Sequence, residues 1–294
     1  AARQIPRVWS PAVRPVNTAS TSTEESTMST TTRPDSGTAY PPEIAAVGSL
    51  PFTRLLRTEL RKLVDTRASV WLLSITAALS LIIAGVSGWA VTQVRSGTVS
   101  WPSLVFFPAM PVNALLPVVA ILMVTAEWSH RTALTTFVMT PRRHLVAAAQ
   151  GIVAAAASVV ATVLVLVLTG ISWLVATTFQ PSVTLIGANW KALLGATVTT
   201  LIYVLVGFAL GLAFLNAPAA IIVILLVPTT VLPMATIIKQ LRAITPWINY
   251  LQAGTPLAAG TIHGVEWGHL ATSTALWIVL PVIIGLWRQH VREP

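Results

Sequence analysis

Six stretches of this chain carry no Asp, Glu, Lys or Arg: residues 68–94, 96–126, 144–190, 192–238, 243–265 and 267–287. A helix needs about 20 apolar residues to cross a bilayer core of roughly 30 Å, so length alone permits more than six crossings. Composition prunes them. The stretch 243–265 holds Pro246, Asn249, Gln252, Gly254, Pro256 and Gly260, too many breakers and polar groups for a helix facing lipid. It reads as a loop with short helical or re-entrant pieces, inside an outer segment 239–269. The stretch 192–238 divides at Asn216-Ala217-Pro218, a turn signal between two crossings. The stretch from 145 reads as one long, protruding helix that ends near Gly170. The pattern predicts an all-α integral membrane protein with six transmembrane helices, at about 70–94, 105–125, 145–170, 191–214, 219–238 and 270–287.

The residues before the first crossing divide in two. Residues 1–49 include a Ser/Thr-rich run, Thr18 to Thr32, followed by Pro34, Gly37, Pro41 and Pro42. Such a segment buries too little apolar surface to offset its ordering entropy and is expected to be a disordered cytoplasmic tail. Met28 within it is a plausible alternative start, and no secretory signal is visible. Residues 50–67 are different. Phe52, Leu55, Leu56, Leu60, Leu63 and Val64 fall on one face of a helix, while Arg54, Arg57, Arg61 and Asp65 fall opposite. A basic amphipathic helix just before a crossing lies in the headgroup plane, with its cations against anionic lipid. Glu59 sits within the apolar stripe, where a carboxylate needs a partner. Lys62 three residues on is one choice, and a basic residue elsewhere is another. Residues 68–294 form the transmembrane domain.

Composition agrees with the pattern: 54% of residues are apolar, 9% are charged, and the mean hydropathy is +0.76. A soluble domain carries about 25% charge. The net charge of +9 is not spread over a solvated face, as a nucleic-acid-binding surface requires, so no nucleic-acid partner is expected. Arg and Lys instead sort by side. With the N-terminus inside, the inner rim holds Arg54, Arg57, Arg61, Lys62, Arg67, Arg131, Arg142, Arg143, Arg288 and Arg292; the outer rim holds Arg95, Lys191, Lys239 and Arg242. That excess puts both termini in the cytoplasm of a multi-pass plasma-membrane protein. Trp71, Trp128 and Trp287 near inner ends, and Trp101 and Trp190 near outer ones, fit the interfacial belt.

The inner loop between the second and third crossings, residues 126–144, reads Glu127-Trp-Ser-His-Arg-Thr-Ala-Leu-Thr-Thr-Phe-Val-Met-Thr-Pro-Arg-Arg143 at its centre. A short helix from Thr132 to Met139 is expected, with Leu134, Phe137 and Val138 on one face and Pro141 as its stop. It fits a docking element for a soluble protein. A basic loop resting on headgroups is the alternative.

The amphipathic helix ending in Leu60-Arg61-Lys62-Leu63-Val64-Asp65-Thr66-Arg67, the six crossings, and the spacing of Glu127, Arg131-Thr132 and Thr140-Pro141-Arg142-Arg143 resemble an ABC-2 type ABC transporter permease over about residues 50–290. Many members carry Gly-Thr where this chain has Arg131-Thr132. The resemblance implies that residues 50–67 are the elbow helix, with Arg57, Glu59, Arg61 and Lys62 its polar residues. It implies that the loop is the coupling element, with Glu127, Arg131, Thr132, Thr140, Pro141, Arg142 and Arg143 contacting a separate ATPase subunit. The implied assembly is two permease copies, or this chain and a related permease, with an ABC ATPase dimer and membrane lipids, working mostly as an exporter. ATP and Mg would belong to the partner, and this chain would need no cofactor.

The residues themselves are consistent with a motor elsewhere. The only lysines are Lys62, Lys191 and Lys239, and none follows Gly as a phosphate-binding loop requires. No predicted crossing holds an interior Asp, Glu, Lys, Arg or His, the groups an ion-coupled carrier would use. There is no cysteine, which removes thiolate metal sites and cysteine nucleophiles. His263, Glu266 and His269 form the one compact cluster with zinc-type donors. Gly264 and Gly268 weaken the helix that would align them, and a hydrogen-bonded outer cap is the better reading. No catalytic and no metal residue is therefore assigned. Gly207 and Gly211, and the small residues Ala147 to Ala157, read as close helix packing within the chain. Pro108, Pro111 and Pro117, with Pro228 and Pro233, predict kinks and freed carbonyls in the second and fifth crossings. A charge-free set of crossings suits hydrophobic, lipid-like or drug-like cargo. The alternative function is a membrane assembly or sensory protein that uses the same loop as a docking patch.

Overall fold

The computed structural model describes residues 52–94, 96–129 and 143–291. Among them, six helices are long and apolar enough to cross a membrane: Arg67–Thr92, Trp101–Ala126, Leu145–Phe179, Trp190–Phe214, Ala217–Ala235 and Glu266–Arg288. The chain is an all-α membrane protein, with one short ribbon among the described residues.

The helix α1 (Phe52–Asp65) precedes α2 (Arg67–Thr92), the first span. Strand β1 (Gly97–Ser100) leads into α3 (Trp101–Ser129), the second span, where the Ser100 hydroxyl accepts the Ser103 amide at 3.3 Å. The third span, α4 (Arg143–Phe179), is a single helix of 37 residues and continues past Gly170 to Phe179. Gly170 does not end it because a glycine inside a helix weakens it by only about 1 kcal/mol. Strand β2 (Val183–Ile186) pairs in parallel with β1, with Gly97 opposite Val183 and Ser100 opposite Ile186. This ribbon is absent from the sequence pattern: β-branched Thr98, Val99, Val183 and Thr184 pair across two loops far apart in the chain.

The fourth span, α5 (Trp190–Phe214), starts at Asn189, whose side chain accepts the Ala192 amide at 2.9 Å. It ends where Leu215 adopts φ 52° and donates its amide to Gly211 O. Asn216 then caps the next helix and Pro218 sits in its first turn, as the turn signal predicts. The fifth span is α6 (Ala217–Leu226), a π-helical segment Val227–Val231, and α7 (Leu232–Ala235). The sixth is α11 (Glu266–Thr274), a second π-helical segment Ala275–Val279, and α12 (Leu280–Val291). It begins four residues before the predicted start, because Glu266 and His269 lie in a helical first turn that extends beyond the apolar stretch.

Spans two and four form the centre: 61% of the residues in their apolar windows are buried, against 17–28% in the other four. Their seam is made of small residues. A Cβ on Gly207 would lie 2.4 Å from Pro117 O, and one on Gly211 would lie 3.3 Å from Ile121 and Val124. The Gly207–Gly211 pair is therefore intrachain packing between α5 and α3. On α4, Gly151 faces the Phe208 ring, while Ala149 and Ala154 are buried. The prolines act differently in different spans. The helix α3 runs unbroken through Pro108, Pro111 and Pro117, whereas the fifth span widens into a π-turn that contains Pro228.

Candidate functional site

Between the fifth and sixth spans the chain turns back into the bundle through α8 (Lys239–Arg242), α9 (Thr245–Ile248) and α10 (Tyr250–Ala258). The helix α10 lies antiparallel along α5. The Thr199 hydroxyl donates to Gly254 O and the Tyr203 hydroxyl donates to Leu251 O, both at 3.3 Å. Tyr203 is thirteen residues into α5, roughly 20 Å at 1.5 Å per residue. From the opposite side, the Trp277 indole donates to Ile248 O at 2.7 Å, eleven residues into the sixth span. Both measures put the tip, Ile248 and Asn249, about halfway along the spans. The segment predicted as a loop with short helical or re-entrant pieces is a hairpin of short helices packed between α5 and the sixth span. Its backbone is satisfied by protein, since Thr272 also donates to Trp247 O at 3.2 Å. Tyr203, Tyr250 and Trp277 stack edge to face around the tip, with ring centroids 5.3 and 5.4 Å apart.

The hairpin, α3, α5 and the fifth span enclose a cavity of about 590 Å³. Trp101, Val105, Phe106 and Met110 line it from α3, Ala196 and Tyr203 from α5, Ile224, Leu225 and Pro233 from the fifth span, and Tyr250 and Ala259 from the hairpin side. No Asp, Glu, Lys, Arg or His lines it. Its polar groups are few. The Thr200 hydroxyl donates to Asn113 Oδ1 at 3.1 Å across the α3–α5 seam, and Thr199, Thr229, Asn249, Gln252 and Thr255 add further hydrogen-bonding side chains to those of the lining aromatics. A mostly apolar wall with a few convergent hydrogen-bonding groups suits an uncharged, amphipathic small molecule. Of its lining residues, Phe106, Met110 and Leu225 are exposed.

Sequence reasoning missed this site. One signal was available: Asn113 is the only amide side chain in the charge-free run 96–126, and a polar group inside a span is costly unless it is used. The residues assigned by sequence lie elsewhere. Arg131, Thr132, Thr140, Pro141 and Arg142 fall outside the described residues. The backbone of Glu127 belongs to the last turns of α3, and that of Arg143 opens α4.

On α1, Glu59 is 1% exposed, and Lys62 Nζ lies 2.7 Å from its Oε1. Arg57 and Arg61 are exposed on the other face. The apolar stripe is divided: Leu63 is buried, while Leu60 and Val64 are exposed. Among the polar residues of the outer segment, the Glu266 carboxylate accepts the His263 amide at 2.8 Å, and the His269 ring stands edge-to-face on Trp247 at 4.5 Å. Both make contacts within the segment that links the fifth and sixth spans. Among the described residues, no group of three or more His, Cys, Asp or Glu is arranged to hold a metal ion.

No family model matches this chain, and no curated protein matches it.

Proposed function

We propose that this chain is the permease subunit of an ATP-driven transporter of the ABC-2 type, exporting an uncharged hydrophobic or lipid-like molecule. The observation that carries the reading is the 590 Å³ cavity set among the spans and lined without a single ionisable Asp, Glu, Lys, Arg or His. A carrier driven by an ion gradient holds such groups on its path. An uncharged path fits energy supplied by a separate motor, and no lysine in the sequence follows Gly as a phosphate-binding loop requires. The cavity's exposed lining residues, Phe106, Met110 and Leu225, lie on α3 and the fifth span. A second copy, or a related permease, seated across them would enclose it.

In this reading residues 126–144 dock on an ATPase dimer in the cytoplasm, where both termini also lie. The helix α1 rests at the inner headgroups of the plasma membrane as the elbow. Its exposed Arg54, Arg57 and Arg61 support that placement by facing away from Leu63.

Purification from native membranes supplies the first test: a stoichiometric soluble ATPase is expected to accompany the chain. In the reconstituted complex, reversing charge with Arg142→Glu and Arg143→Glu is expected to lower transport-linked ATP hydrolysis about tenfold, as loss of two docking charge pairs would, while membrane insertion is unchanged. Unaltered hydrolysis overturns the coupling assignment. Co-purification without any ATPase favours the assembly or sensory reading instead.

A further inference from the structure

The fifth and sixth spans share one construction. Val227-Pro-Thr-Thr-Val-Leu-Pro233 and Ala275-Leu-Trp-Ile-Val-Leu-Pro281 each hold a five-residue π-helical segment followed by Leu-Pro. In each, the leucine amide reaches back five residues: Leu232 N–H to Val227 O, and Leu280 N–H to Ala275 O. The proline that follows has no N–H to give.

The consequence is clearest at Pro228. Its carbonyl would accept Leu232 N–H in an α-helix, but that donor is engaged at Val227. In π register its donor would be residue 233, which is proline. The Pro228 carbonyl thus has no partner in its own helix, at a buried position. It is met from outside: Asn249 Nδ2 donates to it at 3.1 Å. Asn249 is itself buried, and its Oδ1 accepts the amides of Leu251 and Gln252 at 3.0 and 3.4 Å. One residue earlier, Ile248 O accepts the indole of Trp277, which lies inside the other π-helical segment. The hairpin tip therefore clasps both irregular spans at once.

We propose that Asn249 is the positioning residue that fixes the register of the fifth span and, through it, the shape of the cavity. Pro228, Pro233 and Asn249 all line that cavity. Without the Asn249 amide, the orphaned carbonyl is satisfied only when the span winds back to α register. That removes one residue from the turn and rotates the helix beyond it by about 100°. Pro233 then leaves the cavity wall. Segments of π-helix inside α-helices recur at functional sites, and this one has a sequence-encoded cause and a single external latch. The inference concerns this chain alone and holds whether or not an ATPase drives it.

Hydrogen exchange followed by mass spectrometry, on the full chain in lipid nanodiscs, tests it. Asn249→Ser keeps an oxygen for the Leu251 and Gln252 amides but is too short to reach Pro228. It is expected to speed exchange at Thr229 to Leu232 about three- to tenfold, the factor that one hydrogen bond's net worth supports. Pro233→Ala restores the missing N–H. In that background Asn249→Ser is expected to change the same amides less than about twofold, a rescue that a residue acting only as helix cap would not show. Wild-type exchange in Asn249→Ser overturns the proposal, and so does the same acceleration in both backgrounds. If Asn249→Ser alone does not fold, recovery of folding in the Asn249→Ser, Pro233→Ala double variant supports the latch, and failure of both overturns it.

Discussion

The seat of the hairpin is a glycine, and its replacement has a consequence that follows from distances alone. A Cβ built on Gly195 of α5 would lie 1.8 Å from Leu257 O and 2.8 Å from Leu257 C. An unstrained C···O contact needs about 3.3 Å, so Gly195→Ala forces α10 away from α5 by about 1.5 Å. The two bonds that hold α10 there, from Thr199 to Gly254 O and from Tyr203 to Leu251 O, are both 3.3 Å long. A shift of that size breaks both, at about 0.5–1.5 kcal/mol each. Residual overpacking adds about 1–3 kcal/mol. Better helix propensity of alanine returns up to about 1 kcal/mol. The net expectation is a loss of about 1–6 kcal/mol.

Gly85 and Gly170 provide the controls. Both lie inside spans, and an added Cβ at either meets nothing within 4 Å. Gly85→Ala and Gly170→Ala are therefore expected to be neutral or stabilising by up to about 1 kcal/mol. Reversible unfolding in mixed micelles, titrated with a denaturing detergent and read by tryptophan fluorescence, compares the three on one scale. Gly195→Ala unfolding at the same detergent fraction as the two controls would refute the reasoning.

Two further substitutions test how α1 and the end of the sixth span are held. Arg288 Nη1 donates to Ala213 O at 2.6 Å, closing the last turn of α5 from the sixth span. Arg288→Met loses a charge-assisted bond at a helix C-terminus, and a drop of about 1–3 kcal/mol in the same titration is expected. On α1, Lys62→Met removes a cation from the buried Glu59 carboxylate, with an expected cost of about 1–3 kcal/mol because Lys62 is partly solvated. Thermal unfolding should show the Lys62→Met, Glu59→Gln double variant recovering part of that loss, and simple additivity of the two would contradict the pairing.

The bilayer makes some of this architecture legible and hides the rest. A span must be uncharged over about 20 residues, so five of the six charge-free runs announce the six helices, residues 192–238 supplying two of them. Their ends are less legible, because a helix that leaves the lipid is no longer required to be apolar. The sixth span starts at the charged Glu266 for that reason, while the third continues to Phe179 because Gly170 does not break it. Glu59 was visible as a misfit in an apolar stripe, and it is buried with Lys62 beside it. The ribbon of β1 and β2 was not visible, since four-residue strands from separate loops leave no periodic trace.

The hairpin shows why composition alone could not place the cavity. Asn249, Gln252, Gly254 and Pro256 exclude a helix facing lipid, and the same residues are what a segment inside the bundle requires. An irregular backbone at membrane depth must be hydrogen-bonded by protein. Here Thr199, Tyr203, Thr272 and Trp277 supply donors to its carbonyls from two different spans, while Asn249 returns one to Pro228. Glycines at 195 and 254 let the helices approach closely enough for those bonds to form. The polar residues of residues 243–265 and the scattered Thr, Tyr and Trp of the spans are therefore two halves of one set. Each half looks like noise in the hydropathy pattern until the fold brings it against the other, and the uncharged cavity lies along the seam where they meet.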